Sequence, residues 1–293
     1  VVPLLVSLFQ SRRDPALTVQ RLFEQIQADW GEALDEEFDS MRPETPEETA
    51  GPKKLVEAMG FRFDDRRVVV AAFGIPFGFD PEVAAEASPH WDQGLHLPDI
   101  DGPSYTVTVL PNPDAGDDED EFYTADDRDV LGEAILISRV VASIQACTDT
   151  VTAVFAHPSD MLIPPDVYRE SALNAAPGLP LTTWVDFLVA DESGTTSGET
   201  IGMTDLRLYD IEIPESRMPA EAVVRVLADT AVLQYEEGPI IEDGMTLESE
   251  YGDFQAAIVP SKYDPDFWVL QLTAPVLANR AQRRAAARRA KRR

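Results

Sequence analysis

The sequence predicts an α+β fold, with helices packed on mixed or largely antiparallel sheets. Apolar runs of strand length recur from end to end, amphipathic segments with helix caps are interleaved among them, and no repeat of solenoid period appears. The length of 293 residues allows one large domain or two ordinary ones, and a hydrophobic fraction of 44% supports a sizeable core. Val1–Phe9 reads as a buried first strand and not a secretory signal, since no basic region precedes it and no small-residue cleavage site follows.

Thr18 caps a helix whose apolar face is Leu22, Phe23, Ile26 and Trp30. Residues 35–51 are acidic and punctuated by proline, so they read as loop. A short helix is expected over Lys53–Met59, closed by Gly60. Val68–Phe73 has the continuous apolar character of a central strand. Pro81–Ala87 is a helix opened by Asp80, and Tyr105–Leu110 a strand stopped by Pro111 and Pro113. The acid-rich stretch Asp114–Asp129 runs into the longest apolar helix, Val130–Ala146. Strand Val151–Phe155 and helix Pro165–Ala175 follow. Beyond them come strand Thr182–Ala190, a loop over Glu192–Gly198, and a long strand Ile201–Ile213 with a bulge near Tyr209. Helix Pro219–Glu237 and strands Phe254–Val259 and Phe267–Thr273 complete the pattern. Each half reads as strands, a helix, then strands, which divides the chain into residues 1–150, residues 151–277 and a basic tail, 278–293.

Charge is the most uneven property. Residues 280–293 hold eight basic groups and no acid, namely Arg280, Arg283, Arg284, Arg288, Arg289, Lys291, Arg292 and Arg293. The preceding 279 residues carry 16 basic against 53 acidic groups, a net of −37. Such a body repels nucleic acid and anionic lipid and attracts basic partners, whereas the tail does the reverse. Asp117, Asp118, Glu119, Asp120 and Glu121 form the densest acidic run and a candidate contact for a basic partner. The competing reading of that run is a solvated loop, and of the tail a solvated or self-docked segment. As a helix the tail aligns Arg280, Arg284, Arg288 and Lys291 on one side, a geometry for phosphate contacts of nucleic acid or ribosome. It lacks the large apolar residues of a membrane-surface helix, and no uninterrupted apolar run approaches the ~18 residues of a membrane span, so no membrane partner is expected.

Little in the chain announces chemistry. There is no phosphate-binding loop, dinucleotide fingerprint, nucleophile elbow or HExxH helix. His90 and His96 stand within twelve positions of Asp92, Asp99 and Asp101, a donor set suited to a divalent metal, but in a loop and at no spacing of a metal template. The run from Asp114 departs from a calcium loop at Gly116 and Ala125. Asp205, Asp210 and Glu212 are conceivable acid/base carboxylates, with surface positions as the plainer alternative. The lone Cys147 excludes an internal disulfide, reads as a small buried hydrophobe, and fits a reducing, cytoplasmic compartment. No catalytic, cofactor-binding or metal residue is assigned, and no cofactor is called for.

One stretch carries a resemblance. Gly198-Glu-Thr-Ile-Gly-Met-Thr-Asp-Leu-Arg-Leu-Tyr-Asp-Ile-Glu-Ile213, flanked by Trp184-Val-Asp-Phe187 and Glu242-Asp-Gly-Met-Thr246, resembles the bacterial family known as domain of unknown function 4261. Val69-Val-Ala-Ala-Phe-Gly-Ile-Pro76 with Trp91 is similar to that family's upstream region, so the resemblance extends over residues 65–273. It implies a cytoplasmic bacterial accessory protein and offers no catalytic residues. The expectation is a non-enzymatic protein whose acidic body binds a protein partner, as an adaptor or immunity-like module. A nucleic-acid or ribosome-associated factor acting through the tail, and a metal-dependent enzyme using His90 and His96, are the alternatives.

Overall fold

Strand β1 (Val6–Gln10) is buried at all five positions, which places it inside a sheet covered on both faces. In a computed structural model of the chain, the described residues are 3–31, 42–45, 58–62, 66–72, 79–111, 119–192 and 194–273, without the side chains of Glu119, Asp120, Glu121 and Glu192. Contacts group the chain into two units, Val1–Asp186 with Ile201–Arg207, and Phe187–Thr200 with Leu208–Arg293. Strand β1 lies between a strand that precedes residue 150 and a strand that follows it.

In the first unit β1 is joined by β2 (Arg42–Pro43), β3 (Ala58–Arg62), β4 (Arg66–Ala71), β5 (Ser104–Pro111), β6 (Val151–Ala156) and β7 (Met161–Ile163). Their order is β2-β3-β4-β5-β1-β6-β7, antiparallel at every step. Helices α1 (Val19–Trp30), α2 (Pro81–Ala87), α3 (Glu119–Thr124), α4 (Val130–Cys147) and α5 (Pro165–Ala175) complete the unit. Phe9, Ala153, Phe155 and Leu162 cluster with Ala84 of α2 and with Trp91. Period-two alternation sends Val6 and Leu8 to the opposite face.

Two caps expected from sequence are made, Thr18 accepting from the Arg21 N–H and Asp80 from Glu82 and Val83, and Asp129 makes a third by accepting from Gly132. Helix α4 packs against α1, α5 and β5. By length and composition it alone among the described helices is long and apolar enough to cross a membrane, yet 13 of its 18 residues are buried inside the protein. Ser143 is partnered by the neighbouring helix α1. Trp30 Nε1 and Asp29 Oδ2 lie 3.0 and 2.9 Å from Ser143 Oγ, and Arg169 grips Asp29 through two bonds of 2.9 and 3.0 Å, so α1, α4 and α5 share one network. Burial alone would raise the Asp29 carboxyl, but the hydrogen bonds from Arg169 and Ser143 outweigh it and hold the group below its ordinary range.

The second unit holds β8 (Asp186–Glu192), β9 (Thr195–Ile201), β10 (Ile211–Ser216), β11 (Thr246–Ser249), β12 (Gly252–Pro260), β13 (Trp268–Thr273) and α6 (Ala220–Glu237). The order is β11-β12-β13-β10-β9-β8, with β10 and β13 parallel and β9–β10, β11–β12 and β12–β13 antiparallel. Helix α6 lies on β10. Its Gln234 donates to the Tyr209 carbonyl and accepts from the Tyr209 N–H, which secures the chain leading into β10. The two sheets differ in strand number, order and helix complement, and both are consistent with the α+β class.

Four expectations need correction. Met59 and Gly60 belong to β3, not a helix, because this segment pairs residue for residue with β4 and tertiary pairing overrides local propensity; residues 53–57 lie outside the described set. The strand expected from Thr182 begins at Asp186, after a 3₁₀ turn over Leu181–Thr183. The loop expected over Glu192–Gly198 is mostly strand β9. Gly198 sits there because a Cβ at that position would meet Val223 Cγ1 of α6 at 2.5 Å, so glycine permits close helix–sheet packing. Ile201–Ile213 is not one bulged strand but a reversal, with a 3₁₀ turn at Thr204–Leu206 and Arg207 at φ 59°, after which β10 pairs antiparallel with β9.

Candidate functional site

Of the residues singled out by charge, Arg280, Arg283, Arg284, Arg288, Arg289, Lys291, Arg292 and Arg293, together with Asp117 and Asp118, lie outside the described residues. Glu119, Asp120 and Glu121 open α3, and their side chains are likewise outside the description. His90 Nε2 is 2.9 Å from the Thr182 carbonyl, whereas His96 is exposed on the loop after the buried Trp91. Asp92 and Asp99 are spent on turns, accepting from the N–H groups of Gly94 and Asp101. Among the described residues no three His, Cys, Asp or Glu side chains converge as a metal site, so the metal-dependent reading has no assembled ligand set there. Cys147 is buried, and that burial pushes its thiol above the ordinary value.

One arrangement invisible in sequence sits in the first unit. Ser7 Oγ lies 2.8 Å from His157 Nε2 and 3.1 Å from Thr106 Oγ1, joining residues 150 and 99 positions away. A hydroxyl beside an imidazole is the start of a nucleophilic pair. Here Ser7 is sealed from solvent within β1, so the pair fastens β1 to its neighbours and meets no substrate. Burial depresses His157 to about 4 from an ordinary 6.5. The unfolded chain therefore takes up a proton between those values that the folded chain refuses, and stability falls as pH drops through that window. The loss approaches about 3 kcal/mol at the acid end. His157→Gln is expected to remove this component, so the stability difference between wild type and variant shifts between pH 6.5 and 4 in urea titrations. A difference independent of pH would refute the depressed imidazole.

In the second unit the chemistry is of another kind. Its described residues carry 17 acidic and three basic side chains. Asp205, assigned to the first unit, is exposed, and Asp210 accepts from Thr200 Oγ1 at 3.1 Å. Glu212 on β10 is buried, where it accepts from Ser261 Oγ at 2.5 Å and from the Lys262 N–H at 3.2 Å. It is thus a clamp on the connection between β12 and β13 and not a catalytic carboxylate. That connection is braced further: the Ser261 N–H donates to the Phe267 carbonyl, Ser261 Oγ accepts from Tyr263 and Asp264, and the Phe267 N–H returns to the Asp264 carbonyl. From this fixed loop Tyr263, Phe267 and Trp268 project with 56%, 53% and 57% of their surface exposed. Phe267 and Trp268 open the strand expected over Phe267–Thr273, which begins at Trp268. The usable signal was Asp264-Pro265-Asp266, turn chemistry set between aromatic residues.

No curated protein and no solved structure matches the chain. A family match exists, narrower than the 65–273 span of the resemblance. Residues 199–270, which build most of the second sheet, α6, the Glu212 clamp and the aromatic loop, match the model of the family described as Domain of unknown function (DUF4261).

Proposed function

We propose that this is a non-enzymatic, cytoplasmic binding protein whose acidic body takes a protein partner with a basic surface. The observation that carries the reading is the imbalance of 17 acidic against three basic groups among the described residues of the second unit, within a chain of net charge −29. A field of that sign draws in cationic surfaces and turns away phosphate backbones. The lone, free Cys147 suits a reducing compartment.

The test is recovery of partners from native lysate, with and without ribonuclease, by the full chain and by a chain ending at Asn279. One protein retained by both, released at least tenfold as salt rises from about 0.1 to 1 M while the screening length falls from roughly 10 to 3 Å, is the expected result. A partner whose binding ignores both salt and reversal of acidic side chains would sink the proposal. A second reading rests on the eight basic groups of residues 280–293, which suit nucleic acid or the ribosome. It predicts ribonuclease-sensitive recovery that disappears with the tail.

A further inference from the structure

A loop that is rigid, exposed and aromatic at once calls for an explanation. Tyr263, Phe267 and Trp268 are each more than half exposed within one hairpin connection, although side chains of this size normally bury most of their area. The chain's other three tryptophans, Trp30, Trp91 and Trp184, are 2%, 8% and 0% exposed, so Trp268 is the exception. The exposure does not come from looseness. A buried carboxylate, Glu212, is committed to Ser261 and Lys262, and four further bonds close the loop on itself. Ordering such a surface before contact removes an entropic cost that a floppy loop would incur on binding.

The chemistry around the rings narrows the ligand. Asp264 and Asp266 are exposed between the aromatic side chains, and the described residues of the unit are strongly acidic. Carboxylates beside aromatic faces suit a cation with apolar neighbours and oppose phosphate or an anionic membrane. The loop already demonstrates the contact, since Lys262 Nζ lies 5.5 Å from the centre of the Tyr263 ring. We infer that the loop Ser261–Trp268 is the docking site for a protein segment that presents arginine or lysine next to a large apolar side chain. This rests on the binding-protein reading above and assigns its contact surface. Paired aromatic and arginine side chains are the usual energetic centre of such interfaces.

Trp268 supplies the readout, because acrylamide quenching of red-shifted tryptophan emission reports the one exposed indole. The probes are two fluorescein-labelled peptides, repeats of Arg-Leu-Ser and of Glu-Leu-Ser, titrated into the full chain. The Arg-Leu-Ser peptide is expected to shield Trp268 and the Glu-Leu-Ser peptide to leave it open. By anisotropy, Phe267→Ala with Trp268→Ala should weaken the basic peptide roughly tenfold or more. Asp264→Asn with Asp266→Asn should weaken it less and flatten its salt dependence. All four positions are exposed, so circular dichroism should show the fold retained. If the aromatic double variant binds the peptide as wild type does, the loop assignment fails and the acidic-body reading survives. If neither protein binds any basic peptide, both fail. Shielding of Trp268 by an RNA oligonucleotide, or an increase in quenching on removal of residues 280–293, would replace the proposed occupant by nucleic acid or by the chain's own tail.

Discussion

Gly202→Ala is expected to destabilise the protein by about 4 kcal/mol, combining backbone strain with overpacking. Gly202 adopts φ +110°, where an L side chain is strained whatever space surrounds it. Space is also lacking. A Cβ there would stand 2.3 Å from the Trp184 carbonyl oxygen and 3.2 Å from that of Pro158. Both obstacles are backbone, and Trp184 is held in place: its Nε1 donates to Ser138 Oγ at 2.7 Å, its N–H to the Leu181 carbonyl, and its ring is buried. Gly244→Ala is the matched control, with φ +80° and nothing within 4 Å of the added carbon, so only the conformational part, about 1 kcal/mol, should be lost. Urea midpoints at unchanged slope read the difference. Equal costs for the two variants would mean that Gly202 does not approach Trp184 as described.

The helices were legible where a local device marks them. Thr18 and Asp80 are caps a reader can see, and each accepts the expected N–H. The apolar runs at Val6–Gln10 and Val68–Ala71 announced central strands because both faces are covered. What failed was whatever a distant partner decides. Gly60 looks like a helix stop until Val69 stands opposite it in the sheet, and Gly198 looks like a turn until Val223 and Leu227 press on it. Candidate site residues divide the same way. The acidity is a count, available from sequence. The role of Glu212 depends on Ser261 and Lys262, some fifty positions away, so its spacing to Asp210 suggested acid/base chemistry that the fold does not build. Ser7 and His157 had no sequence signal linking them. Exposure of Trp268 was hard to read for a simpler reason: an aromatic residue at the head of a strand reads as core, and only the turn chemistry of Asp264-Pro265-Asp266 before it says otherwise.

Arg128→Met should cost about 3–5 kcal/mol, the range for stranding one partner of a buried ion pair. Arg128 donates from Nε to Glu133 Oε1 at 2.9 Å and from Nη2 to Oε2 at 2.6 Å, and the two side chains are 3% and 1% exposed. The guanidinium also lies 4.9 Å from the Tyr123 ring centre and 5.6 Å from that of Phe122, so α3 and the first turn of α4 meet around it. Methionine fills much of the stem's volume but leaves the Glu133 carboxylate buried without its counter-charge, and the weak field of a helix start offsets only a fraction of that. Glu133→Leu alone strands the cation instead, which keeps its two aromatic faces and so should lose less. Together the substitutions remove both charges, and the double variant should return to within about 1 kcal/mol of wild type, since a matched apolar pair is often neutral or better. The double-mutant cycle therefore separates two accounts of this contact. Strong non-additivity makes the pair a fastening whose halves need one another. Additive losses would mean that the aromatic packing, and not the ion pair, holds α3 against α4.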